Sequence, residues 1–203
     1  MIKGFCKKTK KTGVSLGVVA LLALLASGSA SADGMRYQLG LSYVNGFDNL
    51  FDQYEENLEA EGYFTWSQES LPVGLVFQPY YQWDNGFRLG VDAGPIMLIW
   101  GDVGHFQLPF NVNVGYTFNL SGSVPFYVRG GPSYHFASGD YYDGSNIGFM
   151  VGVGAELFKS KRTSFVIQAA YDSAEVDIED VATGSSRGIK AAEFSVGLLI
   201  AFK

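Results

Sequence analysis

From Phe106 to Asn119 apolar and polar side chains alternate along the chain. Phe106, Leu108, Phe110, Val112, Val114, Tyr116 and Phe118 fall on one side, Gln107, Asn111, Asn113, Gly115, Thr117 and Asn119 on the other. A period of two sustained this long describes a β-strand with two chemically different faces. The same period runs through Ile147–Leu157 and Ala192–Phe202. In all it predicts eight strands, at 35–45, 70–83, 86–100, 106–119, 124–137, 147–158, 163–175 and 189–202. Their connections alternate in length. Asp84-Asn85-Gly86, Leu120–Ser123 and Lys159–Lys161 are short, the first with hairpin-turn chemistry. The connections at 46–69, 101–105, 138–146 and 176–188 are mostly longer and rich in Asp, Glu and Gly.

Alternation alone does not say which face points inward, since a soluble barrel has the same period with its apolar side inside. Composition decides. A soluble outer face would carry many Lys and Glu, whereas the polar face here is mostly Gly, Ser, Asn and Gln. Eight strands enclose a space just wide enough for side chains, which suits such small residues. Large aromatics gather near the strand ends, among them Tyr43, Trp83, Phe87, Trp100, Phe106, Phe118, Phe126, Phe136, Phe158 and Phe165, as two interfacial girdles would. The expected fold is all-β: an eight-stranded antiparallel up-and-down transmembrane β-barrel. An even strand count places both termini on the periplasmic side, with the longer loops outside.

The N-terminus reads as an export signal. Lys3, Lys7, Lys8, Lys10 and Lys11 precede an apolar run from Gly13 to Ala26, and Ala30-Ser31-Ala32 offers a cleavage site before Asp33. The run is too short to span a bilayer, which takes roughly 20 apolar residues. Residues 1–32 are therefore expected to be a cleaved signal peptide, and residues 33–203 the barrel domain. Cys6, the single cysteine, leaves with the signal. Cleavage leaves nine Lys and Arg against 20 Asp and Glu, a net charge of −11. Phosphate binding needs clustered basic residues, so a nucleic-acid partner is excluded.

The chain resembles the small eight-stranded outer-membrane barrels of the OmpA, OmpX and OmpW type, over its whole length from MRYQLGLSYV to FSVGLLIAFK. The resemblance implies the outer membrane of a Gram-negative bacterium, with membrane lipid and lipopolysaccharide as neighbours. It also implies delivery by the outer-membrane assembly machinery, which reads a terminal aromatic residue; Phe202 fills that role here, with Lys203 behind it. Unlike full OmpA, the chain is not expected to carry a peptidoglycan-binding domain after the barrel. A closed barrel has no free strand edges, so a monomer is expected.

One segment departs from that pattern. In FDNLFDQYEENLEAEG, residues 47–62, Leu50, Phe51, Tyr54 and Leu58 recur at helical spacing among six acidic residues, with no Lys or Arg. It lies in the first long loop, as a short acidic helix over the barrel mouth. The four apolar side chains either dock on the loop cluster or act as a lid or partner-binding face.

The inward face carries few charges: Arg88, Asp92, Arg129, Glu156, Asp172 and Glu193, with His135 and Lys190 nearer the outer end. Buried charges are costly unless paired and hydrogen-bonded. Arg129 and Asp92 sit at similar counts from their turns and are expected to share a layer with Gln78, Asn113 and Gln168. The set is either a plug of ion pairs or the lining of a thin pore.

Catalysis is not expected. His135 lies an odd number of residues from Ser138, so the two face opposite sides of the strand. Ser133 shares its face but points into the lumen, and His105 sits in a loop without a clear partner. No cofactor is expected, and no metal site: the acidic loops match no Ca²⁺-binding loop, although divalent cations bridging them to lipopolysaccharide phosphates would relieve repulsion. Three roles are compatible with these features, in order: a structural or surface-interaction barrel, a narrow channel for ions or small solutes as the OmpW resemblance implies, and a lipid-modifying enzyme.

Overall fold

The computed structural model describes residues 34–63, 69–158 and 162–202. The expected signal peptide (residues 1–32), the turn Lys159–Lys161 and Lys203 lie outside the described residues. The strands are β1 (Gly34–Asn45), β2 (Glu69–Leu71), β3 (Val73–Gln82), β4 (Phe87–Ala93), β5 (Met97–Trp100), β6 (His105–Phe118) and β7 (Phe126–Gly139), then β8 (Tyr142–Ser145), β9 (Gly148–Leu157), β10 (Thr163–Asp172), β11 (Val176–Asp180), β12 (Ser185–Ile189) and β13 (Phe194–Phe202). One helix, α1 (Phe47–Ala60), follows β1.

Every strand of the main sheet is antiparallel to its neighbours, in the closed order β1–β3–β4–β6–β7–β9–β10–β13 and back to β1. The closing ladder runs from Tyr37 opposite Phe202 to Asn45 opposite Phe194. This is the expected eight-stranded barrel. Two of its strands are interrupted: β2 and β3 part at Pro72, and β4 and β5 at Gly94-Pro95-Ile96. Proline has no N–H for the ladder, so each break falls where the sequence has one. Above the breaks, β5 pairs with β2 and β6 and extends the wall at the long-loop end.

The faces are inverted relative to a soluble protein. Leu41, Val114 and Leu198 are 53%, 57% and 65% exposed, while Gln38, Gln107 and His135 inside are fully buried. Rings cluster where the wall meets its short turns: Tyr116 lies 4.8 Å from Phe118, and Phe118 stacks 4.8 Å from Phe126. At the other end Tyr134 and Phe136 meet at 5.0 Å. No described helix is long and apolar enough to cross a membrane. The strands do so instead.

The long connections do not stay irregular. β11 pairs with β12 and with β8, making a separate three-stranded sheet above the barrel. Val176 and Ile178 of β11 and Ile189 of β12 turn inward toward α1. The sequence period was present in Val176-Asp177-Ile178, in a stretch whose acidity suggested only loop.

Helix α1 owes little to local preference. Fourteen residues form a marginal helix in water. Only Asp48 complements the positive N-terminal end, whereas Glu59 crowds the negative C-terminal end, with no basic residue there to offset it. What fixes the helix is its buried stripe of Phe47, Leu50, Tyr54 and Leu58, each no more than 1% exposed. Phe51 packs half-buried beside them.

Candidate functional site in the lumen and beneath the cap

The inward side chains form layers. Lowest, the Arg88 guanidinium lies between two tyrosine rings, 3.9 Å from the Tyr80 centroid and 4.1 Å from that of Tyr127. A cation held between two π-faces is stabilised where water is excluded, by about 2 kcal/mol or more. Gly154 makes room for this: a Cβ there would sit 2.4 Å from the Tyr127 hydroxyl. Nearby, Glu156 accepts a hydrogen bond from Ser164 at 3.1 Å.

One level up, Arg129 forms a buried ion pair with Asp92. Arg129 also donates to Gln168 Oε1 at 3.1 Å, and the Tyr127 hydroxyl donates to the same oxygen at 3.0 Å. Four inward side chains on three strands, β4, β7 and β10, thus converge in one layer, as similar counts from the turns predicted for Arg129, Asp92 and Gln168.

Asp172 anchors the layer above. Its Oδ2 accepts from Ser133 Oγ at 2.5 Å and from His135 Nε2 at 3.4 Å, while Oδ1 accepts from the Ala174 N–H at 2.9 Å. From His135 a hydrogen-bond chain climbs to the cap. Gln107 Nε2 meets His135 Nδ1 at 2.7 Å, Gln107 Oε1 meets His105 Nε2 at 3.2 Å, and His105 Nδ1 meets the Tyr54 hydroxyl at 2.8 Å. Burial pushes the Tyr54 phenol well above its ordinary pKa, so it keeps its proton, and Gln107 Oε1, which can only accept, takes its hydrogen bond from His105 Nε2–H. His105 Nδ1 therefore accepts, His105 Nε2–H donates to Gln107, and the Gln107 amide donates to His135 Nδ1. Each donor along the chain then points toward Asp172.

Above the chain, α1 closes the mouth. Leu50 and Tyr54 share one cluster with Phe47, Met97, Ile99 and Ile178. Tyr54 meets Tyr141 edge-on at 5.2 Å. Asn57 ties the helix to the upper sheet in both directions: Nδ2 donates to Glu179 O at 2.6 Å, and Oδ1 accepts from Val181 N at 3.0 Å. Tyr54→Phe removes the hydroxyl and leaves His105 Nδ1 buried without its donor. It is expected to lower stability by about 1–3 kcal/mol, read from the unfolding midpoint in detergent micelles.

Of the six lumen charges read from the sequence, Arg88, Asp92, Arg129, Glu156 and Asp172 are buried inside the barrel. Glu193 is not among them. It precedes the first rung of β13, and its side chain, 46% exposed, reaches Lys190 at 3.9 Å on the rim. His105, expected in a loop, opens β6 and points inward at 2% exposure. Sequence reading also passed over Gln53 and Asn57, polar residues on the buried side of α1. Their signal was position: Asn57 follows Gln53 by one turn, beside Tyr54 and Leu58. Among the described residues no three His, Asp, Glu or Cys side chains gather around a potential metal position. Ser133 gives its hydroxyl to Asp172 rather than to His135, so the three do not form a nucleophile–base pair.

A closed antiparallel sheet with an apolar exterior, a polar interior and aromatic rims defines an integral membrane β-barrel. The chain belongs to the family described as outer membrane protein beta-barrel domain, whose profile matches residues 16–202. It is similar in fold to the outer membrane protein OprG from Pseudomonas aeruginosa, at 10% identity and a TM-score of 0.53, covering 86% of this chain and 97% of that one. Outer membrane protein W of E. coli is similar at 11% identity and a TM-score of 0.51, over 86% of this chain and 100% of that one. No curated protein matches the sequence.

Proposed function

We propose that the protein is a closed structural barrel of the outer membrane that presents a rigid acidic cap to partners at the cell surface. The filled lumen carries this reading. Between the Asp92–Arg129 layer and Asp172 there is a cavity of only about 30 Å³, below it Arg88 is clasped between two rings, and above it α1 is docked over the mouth. A conducting barrel needs a continuous water path, which paired and stacked side chains of this kind obstruct. The cap supports the second half of the proposal. Asp48, Asp52, Glu56 and Glu59 all lie exposed on the outer side of α1, on a helix held by Asn57 and an apolar cluster.

Single-channel recording of the purified protein in planar bilayers tests the reading, with Arg129→Ala and a deletion of residues 48–61 run alongside. The expected result is no discrete conductance from the wild type. Discrete openings whose ion selectivity changes with Arg129→Ala would replace the structural reading with a pore. Openings seen only after the deletion would make α1 the lid of a gated channel.

A further inference from the structure

We infer that the upper lumen contains a built hydration site, in which about two water molecules complete the plug between the Asp92–Arg129 pair and Asp172. This rests on the closed-lumen reading and says what finishes the closure. Among the polar side chains that bound the cavity are Gln78, Asp92, Asn111, Arg129, Gln168 and Asp172. Three of them bring an atom that finds no hydrogen-bond partner among the described residues: Gln78 Oε1, Asn111 Oδ1 and Arg129 Nε. Their side chains are 2%, 4% and 4% exposed. A buried polar atom left in this condition costs about 1–3 kcal/mol, more when it belongs to a charged group. Three around one small space is a strong demand for a ligand.

The chemistry of the three atoms selects that ligand. Gln78 Oε1 and Asn111 Oδ1 are acceptors, and Arg129 Nε–H is a donor. A metal cation would serve the two oxygens but would sit against the Arg129 guanidinium and leave its N–H unmet. An anion would take the N–H but would face two carboxylates and both amide oxygens. Water donates twice and accepts from a third group, so it alone satisfies the set. The space agrees: a water needs roughly 10–15 Å³ of such volume, and the cavity has about 30 Å³. The site also joins two networks. The Asp92–Arg129–Gln168 layer lies on one side, and Asp172, which ends the hydrogen-bond chain from Tyr54, lies on the other.

Water–protein cross-relaxation by NMR, on the purified protein in detergent micelles, tests this. Expected are direct cross-peaks between water and the side-chain amide protons of Gln78 and Asn111, with the sign of waters resident longer than about a nanosecond. Rotating-frame spectra separate these from exchange peaks. The absence of such peaks at both amides would overturn the hydration site. Unfolding midpoints in NaCl, KCl and choline chloride at equal ionic strength form the second arm. Equal midpoints are expected, whereas specific stabilisation by Na⁺ or K⁺ would overturn water in favour of a cation. Failure here is distinct from failure of the closed-lumen reading, which shows in the conductance recording.

Discussion

Replacing Arg129 with alanine is expected to destabilise the barrel by about 3–5 kcal/mol, the usual cost of removing one partner from a buried ion pair. The reason is what remains. Asp92 is 4% exposed, and without Arg129 it faces the lumen with no pairing cation within its layer. Gln168 loses a charged donor at 3.1 Å in the same step, and the cavity above loses one of its polar walls. The readout is the urea unfolding midpoint of protein folded into micelles or lipid vesicles. The double variant Asp92→Leu/Arg129→Met removes both charges and keeps the volume, so most of the loss is expected to return. A single-variant loss under about 1 kcal/mol would mean that water screens the pair as it does at a protein surface. That result would make the lumen wet and undermine the plug.

How far this arrangement was legible in the sequence varies with the range of the signal. The period of two is local, and it located all eight barrel strands and the inward face of Arg88, Asp92, Arg129, Glu156 and Asp172. Counting residues from the short turns placed Arg129 opposite Asp92, because a barrel's register fixes height. The period of two misplaced Glu193, where the wall has ended and a side chain is free to turn to the rim. The apolar stripe of α1 was legible for the same local reason. Its polar companions were not: Asn57 looks solvent-facing until β11 and the turn after it supply Glu179 O and Val181 N as partners, and Gln53 until Arg187 of β12 donates to its Oε1 at 3.5 Å. His105 lacked a visible partner because the Tyr54 hydroxyl comes from 51 residues earlier in the chain. Contacts across such separations depend on closure of the whole barrel, and no pattern within a single strand encodes them.

Leu50→Ala is expected to undock the cap while leaving the barrel standing. Leu50 is fully buried, in a cluster drawn from α1, the upper ends of β1 and β5, and strands β11 and β12. Truncating such a leucine costs about 2–5 kcal/mol through lost burial and the cavity left behind. In a barrel wall that cost would be shared by a cooperative ladder of eight strands. In the cap it falls on a single helix that is short, carries unfavourable charge at its C-terminal end and is held mainly by this stripe. Local opening therefore becomes accessible well before global unfolding. Limited proteolysis with a glutamate-specific protease checks it. Cleavage within residues 55–61 is expected to rise at least tenfold in the variant, while the barrel's unfolding midpoint shifts far less. Equal protection in both proteins would mean that Asn57 and the Tyr54–His105 chain suffice to hold the helix. A matching fall in the barrel midpoint would mean that cap and barrel unfold as one unit.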